Sequence, residues 1–274
     1  FVVLLSNIDV VMISYFSDSS AVGKYRAIQP LRQVTLFLLA STTFLYLPIA
    51  SDLYGQQRYE ALNDLYKTTT KWVIAGTLPI VLVLALFAED TILVLFGAEY
   101  QGAAIALAAL MVGMFGQTVV GPSGIMVKAI NQSRVEIVAA AVGLGVNLVA
   151  NVLLIPRYGI LGAAVGTSIG VTVFNVAESV AIYRVTGGTP LSLDGIKQTV
   201  PTVGVALSLA YLLSEYRLGL FALLAIGGTL VVVQLCSTVV TRSLSETDLE
   251  LVDAVADRVG RDLTAVRSFV IRHS

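Results

Sequence analysis

Long apolar runs separated by short polar breaks cover most of the chain. With about 20 residues needed for a helix to cross a bilayer, these runs predict eight transmembrane helices. The pattern therefore predicts an all-α fold, a polytopic membrane helix bundle. The predicted spans are residues 1–16, 25–50, 72–87, 103–120, 135–155, 161–183, 199–213 and 218–240.

The clearest feature of the pattern is a hairpin between the fifth and sixth predicted spans. Pro156 has no N–H with which to continue a helix, and Gly159 allows the backbone to reverse. Glycines follow at positions 162, 166 and 170, a spacing that lets a neighbouring helix approach closely in a bilayer. We expect the hairpin to be tightly packed and to take no direct part in binding.

Two charged stretches are amphipathic and do not fit the pattern of a spanning helix. In residues 56–71 apolar residues recur at helical spacing with charges between them, which predicts a helix lying on the membrane surface. Residues 242–274 combine an acidic start with apolar residues at spacings of three and four. This second stretch is predicted to form an amphipathic tail.

The composition agrees with a membrane location and excludes several functions. The 274 residues are 56% hydrophobic and 13% charged, whereas soluble domains carry about 25% charged residues. The net charge of −1 and the scattered basic residues argue against a nucleic-acid partner. One histidine and one cysteine, with no P-loop or HExxH motif, predict no catalytic residues, no metal site and no cofactor.

Basic residues in short loops predict the orientation in the membrane. With residues 56–71 on the cytoplasmic side, alternation of the spans places most of the basic residues there. This bias predicts a multi-pass protein of the cytoplasmic membrane whose C-terminus is cytoplasmic. The cytoplasmic set is Arg58, Lys67, Lys71, Lys128, Arg134, Arg184, Lys197 and Arg242, and the opposite set is Lys24, Arg26, Arg157 and Arg217.

Polar side chains on the second predicted span are candidates for function, because a charge inside a bilayer is costly. Arg26, Gln29 and Gln33 share one face of this helix, and Arg32 lies about 60° from Gln29. This face is predicted to line a polar pathway, where Arg32 can grip a phosphate with two hydrogen bonds. The alternative is that Arg26 reaches the membrane interface and Arg32 pairs with a carboxylate.

Two carboxylates also fall within predicted spans. Asp9 could be the counter-charge of Arg32, or it could couple proton or sodium movement to transport. Glu178 lies near the cytoplasmic end of the sixth span and could serve the same roles or reach the headgroups. Asn147 and Asn151 share a face of the fifth span, and we expect them to make packing contacts with a neighbouring helix.

Three stretches of the chain resemble one family of transporters. The run NLVANVLLIPRYGILGAAVGTSIG, residues 147–170, resembles the most recognisable segment of polysaccharide-biosynthesis flippases. These are the O-antigen and exopolysaccharide transporters of the MATE-like multidrug/oligosaccharidyl-lipid/polysaccharide exporter superfamily. Residues 47–66 and 92–113 resemble two further elements of that family, in the same order.

The resemblance implies the C-terminal part of a fourteen-helix transporter, built of two halves around a central cavity. Residues 1–183 would then be the six-helix C-terminal half, residues 184–241 two additional transmembrane helices, and residues 242–274 a cytoplasmic tail. The chain is expected to be a fragment whose N-terminal part is missing. In this family, basic residues of the cavity are thought to hold the diphosphate of the lipid substrate.

We therefore expect a flippase that moves a polyprenyl-diphosphate-linked oligosaccharide across the cytoplasmic membrane for surface polysaccharide or glycan assembly. The expected partners are this substrate and membrane lipid, with glycan-assembly enzymes as further candidates. The alternatives are a cation-coupled multidrug exporter of the same superfamily, a membrane enzyme of polysaccharide synthesis, and a scaffold that recruits partners through its tail.

Overall fold

The computed structural model describes residues 8–241 and Ser243, and every regular element among them is a helix. The predicted all-α, polytopic fold is therefore confirmed. The predicted tail, apart from Ser243, lies outside the described residues, as do the first seven residues of the first span. The helices are α1 (Ile8–Phe16), α2 (Ser19–Gly55), α3 (Tyr59–Leu86), α4 (Ala88–Phe96), α5 (Ala104–Val119), α6 (Ser123–Ala129), α7 (Ser133–Thr186), α8 (Leu193–Lys197), α9 (Thr199–Leu212) and α10 (Leu220–Val240), with a 3-10 helix (Ala98–Ala103) before α5.

Among the described residues, four helical stretches are long and apolar enough to cross a membrane: α3, α7, α10 and the run Ala98–Ala129. A fifth is formed if Ser19–Phe44 and Tyr46–Gly55, which meet at an angle of 47°, are taken as one span. The number of these membrane-crossing stretches differs from the eight predicted spans partly because α7 reverses within its 54 residues and contains two of those spans. In addition, α1 is described over nine residues, and the 14 residues of α9 are fewer than the ~20 of a full crossing.

The predicted hairpin is confirmed. Gly159 adopts φ +55° and ψ −132°, a conformation that strains other residues, and it divides α7 into a first arm (133–158) and a second arm (160–186). Glycines of the second arm lie directly against the first. A Cβ added at Gly162 would collide with the Leu154 carbonyl group, and one at Gly166 would collide with the Asn151 side chain. The arms therefore pack with almost no space between their backbones.

The predicted surface helix at residues 56–71 is not a separate element, because Tyr59–Leu86 forms one continuous helix of 28 residues. No proline or glycine lies between Tyr59 and Gly76, so nothing interrupts the helix where the charged residues end. Its apolar side chains pack against protein, and Tyr66 is fully buried with its hydroxyl donating to the Val120 carbonyl at 2.8 Å. Lys71 is buried and donates to the Ser243 carbonyl at 2.7 Å.

Helices α9 and α10 pack on α3 through an apolar cluster and a chain of polar contacts. Thr202 of α9 donates to Gln234 of α10 at 2.6 Å, and Thr238 of α10 donates to Gln198 at 3.0 Å. Gln198 in turn donates to the Lys71 carbonyl of α3 at 3.2 Å. These contacts fix the last two helices on the rest of the bundle. The division of the chain at residue 184 stays a prediction.

Helix α6 begins after a break that places it against α7. Gly121 has φ +59°, and a Cβ added there would collide with the Thr70 side chain of α3, so a side chain is excluded there on two grounds. Pro122 follows, and α6 then packs against α2 and α7. This break directs Ser123, the first residue of α6, towards the second arm of α7.

Candidate functional site

A cavity of about 290 Å³ lies between α1, α2 and both arms of α7. Asp9 of α1 and Arg32 of α2 supply its charged side chains. The structure therefore places Asp9 and Arg32, which the sequence suggested as a possible charge pair, at one cavity. The remaining lining comes from the first arm (Ala140, Gly143, Leu144, Asn147) and the second arm (Thr167, Gly170, Val171, Phe174).

The Asp9 carboxylate is buried and accepts hydrogen bonds from three neutral side chains. Thr167 Oγ1 donates to Oδ2 at 2.6 Å, and Tyr25 OH donates to the same oxygen at 3.3 Å. Asn151 Nδ2 donates to Oδ1 at 2.8 Å and also reaches Asn147 Oδ1 at 3.3 Å. The donors come from α2 and from both arms of α7, so the carboxylate is the point where these elements meet.

No ion pair joins Asp9 to Arg32 within the part of the chain that the structure describes. The two charges face one cavity without a direct contact, so a counter-charge role of Asp9 would act across that cavity. Near the carboxylate, Asn151 Oδ1 is buried and accepts no hydrogen bond in residues 8–241 and 243. This oxygen faces Gly166 of the second arm, and Asn151 is not among the residues that line the cavity, so it is not placed to bind a ligand there.

The other polar residues of α2 do not line this cavity. Arg26 and Gln33 are exposed, and Gln29 is half-buried. Pro30, between them, lies within the continuous helix α2. These three side chains therefore form an exposed polar strip beside Arg32, and their predicted role in lining a pathway stays a prediction.

Glu178 lies on the second arm of α7, eleven residues after Thr167, and its side chain is fully buried. Ser123 Oγ donates to Glu178 Oε2 at 2.7 Å, whereas Oε1 has no hydrogen-bond partner among the described residues. The nearby Lys128 pairs instead with Glu136 at 3.0 Å. Glu178 thus connects α6 to α7, and its predicted roles in coupling or at the headgroups stay predictions.

The hairpin is tightly packed as expected, with Asn151 bonded to a neighbouring helix, and the expectation that it takes no direct part in binding stays a prediction. Asn151 and Thr167, both in the recognisable run of residues 147–170, hydrogen-bond directly to Asp9. Their polarity at buried helix positions was visible in the sequence, but their convergence on Asp9 depends on how the arms pack. Tyr25 was not singled out, because a tyrosine at the start of a predicted span is typical of a membrane interface.

Metal-binding clusters were not expected. In the described ranges, 8–241 and 243, no group of three or more His, Cys, Asp or Glu side chains is placed to hold a metal ion. The polar groups around the Asp9 carboxylate are two hydroxyls, of Tyr25 and Thr167, and two amides, of Asn147 and Asn151. Binding of a cation by these groups stays a prediction.

Residues 1–153, more than half of the chain, match the model of the MatE family. The chain therefore belongs to the MatE family of multi-pass membrane transporters, whose members are not enzymes. Two curated relatives are also similar to it, and the aligned part spans about a third of the length of each.

One relative is the uncharacterized membrane protein MJ1068 of Methanocaldococcus jannaschii, 26% identical over 168 residues, which are 61% of this chain and 33% of that protein. The other is the probable low-salt glycan biosynthesis flippase Agl15 of Haloferax volcanii. It is 28% identical over 174 residues, which are 62% of this chain and 36% of that protein.

Proposed function

We propose that this chain is part of a flippase that moves a polyprenyl-diphosphate-linked oligosaccharide across the cytoplasmic membrane. The observation that carries the proposal is the cavity shared by Arg32 and Asp9, which combines a guanidinium group with a buried carboxylate. The similarity to a probable glycan biosynthesis flippase supports this class of substrate. Surface polysaccharide or glycan assembly is the process that the activity would serve, with glycan-assembly enzymes as partners.

Arg32 is the residue that would hold the substrate's diphosphate. A guanidinium group offers paired N–H donors that match the geometry of phosphate oxygens, and it stays charged inside a membrane protein. Arg32 is partly exposed and forms no ion pair among the described residues, so its donors are available to a ligand. Arg26, Gln29 and Gln33 would extend the polar surface for the sugar groups, which need hydrogen bonds rather than charge.

Asp9 is the residue that would couple transport to a cation. With Asp9 ionised, the cavity holds one negative and one positive charge, and the arriving diphosphate would add negative charge beside the carboxylate. A proton or a sodium ion on Asp9 would remove that repulsion. Because Asp9 contacts α2 and both arms of α7, a change in its charge would reach all three elements at once.

Glu178 is the second candidate for coupling. It lies on the same arm as Thr167, about 16 Å further along the helix at 1.5 Å per residue. A proton taken up there would change the contact that holds α6 against α7. The proposed orientation, with a cytoplasmic C-terminus, places Glu178 nearer the cytoplasm than Asp9.

The proposal is tested by complementation in a strain deleted for the gene that encodes this chain. Arg32→Gln removes the charge and keeps a polar side chain, and it should abolish the surface glycan while the protein stays in the membrane. Arg32→Lys keeps the charge without the paired donors and should restore only part of the glycan. Arg157→Gln, at an exposed arginine beside the hairpin turn, is the matched control and should behave as wild type.

The same strains distinguish a flippase from a multidrug exporter of the superfamily. A flippase predicts that cells without the gene accumulate the lipid-linked oligosaccharide on the cytoplasmic side and keep their normal resistance to cationic drugs. Normal surface glycan together with lost drug resistance would assign the cavity to drug export. Normal glycan in Arg32→Gln would remove Arg32 from the mechanism.

A further inference from the structure

A second concave surface lies on α7, away from the cavity that holds Asp9. It is a groove of about 440 Å³ between the two arms, near the end of α7 that is opposite the Gly159 turn. Val138, Val142 and Val180 give it an apolar floor, and each of these side chains is substantially exposed. Arg134 and Arg184 stand at its mouth, one on each arm. We call this surface the basic groove.

The mouth of the basic groove is positively charged and has unused hydrogen-bond donors. Arg134 and Arg184 are exposed, and neither forms a hydrogen bond or an ion pair with another described residue. Glu136, the acidic residue nearest in sequence, is paired with Lys128 at 3.0 Å. Two guanidinium groups on facing arms therefore remain available to one anionic ligand.

The depth of the groove follows from the lengths of the two arms. Tyr158 is exposed next to the turn, and an exposed tyrosine is typical of a membrane interface. A hydrocarbon layer of about 30 Å takes about 20 residues at 1.5 Å each, so counting back from Tyr158 ends at Val138. Counting forward from Ile160 along the second arm ends at Val180. Both arginines lie about 6 Å beyond these positions, at the level of the lipid headgroups.

We propose that the basic groove binds a membrane lipid with an anionic phosphate headgroup. Arg134 and Arg184 hold the phosphate between them, and the lipid chain lies on the valines at the edge of the hydrocarbon layer. Counting along both arms from the same turn places charge and apolar floor at the depths where such a lipid carries its own phosphate and chain. This site is separate from the substrate cavity, and it does not depend on the proposed flippase activity.

The test is a lipid titration of the purified 274-residue chain in detergent, followed by native mass spectrometry. Phosphatidylglycerol is compared with phosphatidylcholine carrying the same acyl chains. The wild type should bind phosphatidylglycerol roughly tenfold more tightly than phosphatidylcholine, because basic residues near a membrane surface attract anionic lipids. Arg134→Gln/Arg184→Gln should lower the affinity to the phosphatidylcholine level, and Arg157→Gln, an exposed arginine at the other end of α7, should keep it.

Several results would overturn the site. Equal affinity of the wild type for both lipids would exclude recognition of the headgroup charge. A loss of preference in Arg157→Gln as large as in the double variant would indicate general electrostatic attraction. A chain that ends at Ser243 and binds phosphatidylglycerol severalfold better than the whole chain would identify residues 244–274, with their many acidic side chains, as the occupant instead. The lipid affinities are compared between proteins of equal stability, so each variant should have the same thermal unfolding temperature as the wild type.

Discussion

Thr167 donates a hydrogen bond of 2.6 Å to the carboxylate of Asp9, across 158 positions of sequence. The bond joins the second arm of α7 to α1, and both groups are buried. It is a bond between a neutral donor and a carboxylate, and both residues also line the cavity that Arg32 shares. A change at Asp9 would therefore act directly on the contact between α1 and the α7 hairpin.

Replacing Asp9 by asparagine should abolish cation-dependent transport and leave the protein in the membrane. Asparagine keeps the size of the side chain and one carbonyl acceptor, but it cannot release a proton or balance a cation. Transport of a fluorescent prenyl-diphosphate glycan into proteoliposomes, driven by a proton or sodium gradient, measures the effect. Transport by the Asp9→Asn protein at the wild-type rate would show that Asp9 is structural.

Replacing Thr167 by valine should destabilise the protein by about 1–3 kcal/mol, because a hydrogen bond to a buried carboxylate is lost. Thr172→Val is the matched control, since the Thr172 hydroxyl is exposed and bonds within its own helix to the Ser168 carbonyl at 2.7 Å. Thermal unfolding in detergent measures both. In the Asp9→Asn background the effect of Thr167→Val should shrink, and equal effects in both backgrounds would contradict a direct Asp9–Thr167 interaction.

Replacing Glu178 by glutamine should reduce transport without unfolding the protein. The glutamine carbonyl still accepts the hydrogen bond from Ser123, but the side chain no longer exchanges a proton. Ser123→Ala removes the hydrogen bond and keeps the carboxylate, so it should lower the thermal stability more than the transport rate. If Glu178→Gln transports as wild type and Ser123→Ala does not, the pair serves packing of α6 and not coupling.

Replacing Gly162 by alanine should destabilise the protein by roughly 1–3 kcal/mol, because the added methyl group meets backbone atoms of Leu154 and Ile155 that cannot move aside. Gly145→Ala is the control on the first arm. A Cβ there meets nothing within 4 Å, and alanine favours a helix by about 1 kcal/mol over glycine. Similar unfolding temperatures for the two variants would show that the arms separate more easily than their contacts suggest.

Features that depend on local sequence could be predicted. Pro156 and Gly159 identified the reversal within α7, because a missing N–H and a positive φ are properties of single residues. Asp9 and Arg32 were recognised because charges are rare in apolar runs. The structure places both at one cavity, and their functional role stays a prediction.

Features that depend on distant contacts could not be predicted. The charges of residues 56–71 indicated a surface helix, yet Lys71 is buried because the Ser243 carbonyl, 172 residues away, accepts its hydrogen bond. The sequence alone does not show which side chains Asn151 and Thr167 bond to, and their bonds to Asp9 are seen only in the structure. Periodicity shows which residues share a helix face, but only the packing of α1 against both arms of α7 shows what that face contacts.

The turn at Gly159 also offers experimental access to the protein. Gly159 itself should stay glycine, because its φ of +55° strains any other residue. Arg157 and Tyr158 beside it are exposed, so a labelling cysteine that replaces Arg157 should be tolerated there. The chain has one other cysteine, Cys236, which is exposed and can be replaced by serine to leave a single label. A membrane-impermeant reagent applied to intact cells would then report from one residue which side of the bilayer the turn occupies, and with it the orientation of every helix in the bundle.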